Sequence, residues 1–132
     1  MIIVRIITSL ILFSLGFWIT KINISPLFSN SLLITTSGPI NIWAGIACFM
    51  WGGYGLIYYI FYSYKRNHPI FDFNKVTIII GTIISPLLAM IIIYNININI
   101  IGYTECKNLR ELSSRYSSRT YAKSIELCQQ EQ

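Results

Sequence analysis

No charged residue occurs between Lys21 and Lys65, and none between Lys75 and Glu105. A hydrocarbon core of about 30 Å takes roughly 20 helical residues to cross, and each gap is long enough. Inside lipid every backbone N–H and C=O needs an internal partner, which an α-helix supplies within one segment. With 54% hydrophobic and only 11% charged residues in 132, the chain is too apolar for an ordinary soluble domain. The expectation is an all-α membrane protein, with residues 1–101 forming a transmembrane domain and residues 102–132 a polar C-terminal cap.

Three spans are expected. The first covers about residues 2–20 and has Arg5 near its start, where a long side chain reaches the interface. A basic start before an apolar run looks like a signal peptide. No alanine precedes Ala44, however, so no small-residue cleavage site follows and an uncleaved signal-anchor is expected. The second span covers about 40–61, with Pro39 suited to its first turn and Tyr58, Tyr59, Tyr62 and Tyr64 forming an aromatic belt at headgroup depth. The third covers about 76–94 and contains Pro86, expected to kink it. Residues 21–38 read as an irregular loop on the membrane surface.

After the third span, "NININII" at 95–101 alternates with the period of a strand. An isolated strand in lipid leaves its edges open. Continuation of the helix with its asparagines at the interface is therefore the favoured expectation, and departure from the bilayer to pair elsewhere is the alternative.

Short loops rich in Lys and Arg stay in the cytoplasm. Lys65, Arg66 and Lys75 all flank the connection between spans two and three, whereas the other connection contributes only Lys21. With three spans, the N-terminus is then cytoplasmic and the tail lies outside. Lys107, Arg110, Arg115, Arg119 and Lys123 in the tail favour the opposite orientation, but the order of insertion counters them and the expected arrangement keeps the N-terminus cytoplasmic and the tail periplasmic.

A tail outside the cytoplasm sits in oxidising surroundings, where Cys106 and Cys128 are expected to form a disulfide. A straight helix would hold them about 33 Å apart, so the tail must fold back. Ser113, Ser114, Ser117, Ser118 and Thr120 favour a turn. Leu109, Leu112 and Tyr116 before that point, and Tyr121, Ile125 and Cys128 after it, each share a helical face. The expected cap is a short helical hairpin, stapled by a bond worth about 3 kcal/mol; the alternative is two free thiols in an unfolded tail.

The tail segments "GYTEC" (102–106), "SSRTYAKS" (117–124) and "LC" (127–128), preceded by three hydrophobic spans, resemble an enterobacterial domain-of-unknown-function family of small multi-pass inner-membrane proteins. The resemblance implies a location in a bacterial inner membrane and a build of this kind. It lends no catalytic residues.

Chemistry-bearing patterns are absent from the sequence. His68 is the only histidine, the cysteines lack CxxC spacing, and no phosphate-binding glycine loop or nucleophile motif occurs. Catalytic, cofactor and metal sites are therefore not expected. The net charge of +5 invites a nucleic-acid partner, but the basic residues are scattered and interleaved with Glu105, Glu111, Glu126 and Glu131, so none is expected. Within the spans, Ala44, Cys48, Gly52 and Gly55 fall on one arc, and Gly81, Ser85 and Ala89 recur every fourth residue. Small faces allow close helix approach, and these two are expected to meet within one molecule. The functional expectation is a non-enzymatic protein that binds another protein. Its sharpest form is an immunity protein against a membrane-targeting toxin; a structural subunit of an envelope complex and a small channel are the alternatives.

Overall fold

The structure, a computed structural model, describes residues 1–28, 31–65, 72–113 and 117–130. Helix α1 (Ile2–Phe28) leads to strand β1 (Leu33–Ser37) and helix α2 (Pro39–Lys65). Helix α3 (Phe73–Ile79), a π-helical turn (Ile80–Ile84) and helix α4 (Ser85–Asn99) then run as one continuous segment. Strand β2 (Thr104–Glu105), a 3-10 turn (Lys107–Leu109), strands β3 (Glu111–Leu112) and β4 (Ser117–Ala122) and the short helix α5 (Leu127–Gln130) complete the chain. Three helices are long and apolar enough to cross a membrane: Ile2–Phe28, Pro39–Tyr64 and Phe73–Asn99.

The all-α expectation needs correction, because a four-stranded antiparallel sheet sits beside the helices. It joins two regions read as loop and helix. Within the stretch expected as a loop, residues 21–28 extend α1 and Leu33–Ser37 form β1. Asn23, 4% exposed, donates from Nδ2 to the Asn41 carbonyl at 3.3 Å, which ties the last turns of α1 to α2 and holds them helical beyond Lys21. The "NININI" segment continues the third span, as favoured. Its alternation then has helical consequences: Ile96 is buried against α2 while Ile98 is exposed.

Helices α1 and α2 approach closely through glycine. A Cβ on Gly16 would collide with the backbone of Phe49, and one on Gly52 with the backbone of Phe13. Between them the Phe13 and Phe49 rings stack with centroids 4.9 Å apart. The small arc of α2 thus meets α1 at Gly52, and at Gly55 beside Ser9, rather than the small face of the third span. Gly81 instead receives the Trp51 ring, and Ala89 and Ile96 pack on Ile42 and Ile46 of α2. Small residues thus let backbones approach between α1 and α2, whereas on the third long helix Gly81 makes room for the bulky Trp51 of α2.

The π turn has a local cause. Ser85 donates its N–H five residues back to the Ile80 carbonyl. In that register the Gly81 carbonyl should receive the amide of residue 86, which is Pro86 and has no N–H. Trp43 supplies the missing donor, its Nε1 lying 3.1 Å from the Gly81 oxygen. Trp51 Nε1 likewise donates to the Thr77 carbonyl at 2.9 Å.

Candidate functional site

The part of the molecule that departs from a plain apolar bundle is the cap built on the side where α1 and α4 end and α2 begins. Gly102, at φ +94°, turns the chain out of α4, a conformation that residues with a side chain rarely adopt. Strand β4 is the centre of the cap. One of its edges pairs with β1 over five residues, from Leu33 opposite Ala122 to Ser37 opposite Ser118. The other edge takes β2 at Ala122 and Tyr121, and β3 at Ser118 and Ser117. The hydrogen bonds Gly38 N–H to Ser117 O (2.8 Å) and Lys123 N–H to Leu32 O (3.1 Å) extend the β1 ladder at both ends.

Side chains opposite one another in such a ladder share a face. Ser118, Thr120 and Ala122 therefore face one way with Leu33 and Thr35, and the Thr35 and Thr120 hydroxyls lie 3.3 Å apart. A small core forms on this side: Ala122 is fully buried, and Cys106 and Cys128 pack on it. These cysteines form a disulfide with a Cα separation of 5.5 Å, inside the range that the bond requires. The Cys106 N–H also donates to the Thr120 carbonyl at 2.9 Å, so the staple and the strand hold the same residue.

The cap is a sheet and not the expected helical hairpin. Leu109 lies in the 3-10 turn, Leu112 and Ile125 are exposed, and Tyr121 belongs to β4. Ser114 and Tyr116 lie outside the described residues. Tyr103 anchors the cap to the first connection, its hydroxyl donating to the Ser31 carbonyl at 3.2 Å, and Asn99 donates to the Leu27 carbonyl at 3.2 Å.

Among the other expected residues, Gly52, Gly55, Gly81, Ser85 and Ala89 are buried, Cys48 is half-buried and unbonded, and Ala44 is exposed. Lys75 is exposed in the first turn of α3, Lys65 ends α2, and Arg66 and His68 lie outside the described residues. At that end of the bundle Phe73 is surrounded by Tyr54, Tyr58 and Tyr59, with Arg5 stacked 5.6 Å from the Tyr59 ring centre. Among the described residues no three His, Cys, Asp or Glu side chains gather as metal ligands would. Strand β1 replaces the irregular loop expected there, and its "LITTS" carries the β-branched residues that favour a strand.

Comparison with protein-family models, with curated proteins and with solved structures gives no match to this chain.

Proposed function

We propose that the chain is a non-enzymatic integral protein of a bacterial inner membrane that works by binding another protein. In this reading the N-terminus is cytoplasmic and the cap periplasmic, with Arg5, Lys65, Arg66 and Lys75 on the cytoplasmic side. The observation that carries the reading is the construction of the cap. A disulfide, a shared central strand and the Tyr103 bond to the first connection fix a polar surface beside the helices, and such pre-organisation lowers the ordering cost of association. The disulfide also favours an oxidising side.

The sharpest form of the proposal is an immunity protein that occupies a pore-forming or envelope-targeting toxin. Its spans then offer an apolar surface within the bilayer and its cap a polar one above it. Affinity purification from detergent-solubilised membranes, with mass spectrometry, tests the binding function. A toxin or envelope protein recovered with the wild-type chain, and lost when the cap is reduced, supports it. Recovery of no protein in stoichiometric amount, together with ion conductance of the purified chain in liposomes, overturns it in favour of a channel.

A further inference from the structure

A cavity of about 290 Å³ lies beneath the sheet, where α2 begins and α4 ends. Its floor is hydrocarbon, from Ile42, Ile93 and Ile96 of the spans, and its rim is polar, from Arg119, Asn97 and Ser37. The floor residues belong to the long helices, and the rim combines Arg119 and Ser37 of the sheet with Asn97 near the end of α4, a level at which a lipid changes from chain to headgroup.

The rim presents exposed polar side chains that have no partner among the described residues. Arg119 alternates with Ser118 and Thr120 and so points away from the disulfide core, toward the helix ends. Its guanidinium has no partner among the described residues. Of the three asparagines in the "NININI" stretch, Asn95 donates to the Ile91 carbonyl and Asn99 to the Leu27 carbonyl. Asn97, the one that lines the cavity, bonds to nothing described. The start of α2 adds to this field: Gly38 and Pro39 line the cavity, and no acidic residue in the first turn offsets the positive end of the helix. Glu105 shares the sheet face with Tyr121 one strand away, but it does not line the cavity.

A guanidinium and a carboxamide that have no partner among the described residues, with a helix start above a hydrocarbon floor, fit an anion that carries an apolar chain. We infer that this cavity binds the phosphate headgroup of an anionic glycerophospholipid in the leaflet on the cap side, with Arg119 pairing the phosphate and Ile93 and Ile96 contacting the upper acyl chain. The volume is at the lower end for ligand sites, enough for a headgroup while the chains remain in the bilayer. The inference is independent of any protein partner.

The test uses the full chain in nanodiscs of phosphatidylcholine mixed with phosphatidylglycerol, with native mass spectrometry of the lipids retained on release. The wild type should keep phosphatidylglycerol in preference. Arg119→Gln should cut that preference about tenfold, the effect of losing one charge-assisted hydrogen bond, and Asn97→Ala should cut it by less. Lys107→Gln, on the cap but outside the cavity, should leave it unchanged. Arg119 is exposed and its side chain supports nothing else in the sheet, and Asn97→Ala probes the same cavity from the helix side. Equal retention of the two lipids, equal loss in Lys107→Gln and Arg119→Gln, or unchanged preference in both cavity variants overturns the proposal. Displacement of the lipid by excess glycerol 3-phosphate also overturns it, since the site would then serve a water-soluble phosphate.

Discussion

The indole Nε1 of Trp43 lies 3.1 Å from the carbonyl oxygen of Gly81, which is the acceptor that Pro86 leaves without an amide in the π register. A side chain on one span thereby completes the backbone of another. Trp43→Phe removes the donor and should destabilise the bundle by about 1 kcal/mol. Pro86→Ala supplies an N–H within reach of the same carbonyl, so in that background the tryptophan should matter less. A double-mutant cycle read by unfolding in bicelles should give a coupling energy above about 0.5 kcal/mol; strict additivity would contradict the pairing.

The disulfide closes a sequence separation of 22 residues around β3 and β4. Reduction, or Cys106→Ser, should cost the cap about 3 kcal/mol and accelerate amide exchange at Thr120 and Ala122, leaving Ala89 and Ile96 in the spans unaffected. Exchange in β4 that is indifferent to reductant would show that the sheet needs no staple.

The close approach of α1 and α2 should be sensitive to a single methyl group. Gly16→Ala and Gly52→Ala each place that methyl against backbone of the neighbouring helix and should cost about 1–3 kcal/mol. Gly53→Ala meets only the Phe13 ring at 3.4 Å and should change stability by less than about 0.5 kcal/mol. Thermal denaturation of the three variants in one detergent ranks them.

Ser85 is fully buried, and its hydroxyl has no hydrogen-bond partner among the described residues. An unsatisfied buried hydroxyl is costly, so Ser85→Ala should leave the bundle unchanged or stabilise it by up to about 1 kcal/mol. A loss of stability would reveal a partner for that hydroxyl.

The spans were legible because lipid allows so little else: charge-free stretches of this length and composition must satisfy their own backbone. The ends were less so, since the last turns of α1 past Lys21 are tied to other helices by Asn23, which donates to Asn41 of α2, and by Leu27, which accepts from Asn99 of α4. The thiol pairing was legible from the same two cysteines, but the cap's secondary structure was not. β4 has six residues and β2 and β3 two each, too few for periodicity to declare itself, and Thr120 finds its partner Thr35 across 85 positions of sequence. Leu109 and Leu112 suggested a helical stripe because nothing local announces a strand whose stability is supplied from so far away. The cavity rim was hidden for the same reason, as Arg119 and Asn97 become neighbours only once the sheet lies over the helix ends.

The pairing of β1 with β4 also works as a check on membrane insertion. β1 follows the first of the three helices able to cross a membrane and β4 follows the third, so if all three cross, the two strands emerge on one side only after both intervening passes. A chain that skipped a crossing would leave them stranded in different compartments, with no ladder to close and no template to bring the thiols together. Closure of the ladder between β1 and β4 therefore reports on the placement of both intervening helices.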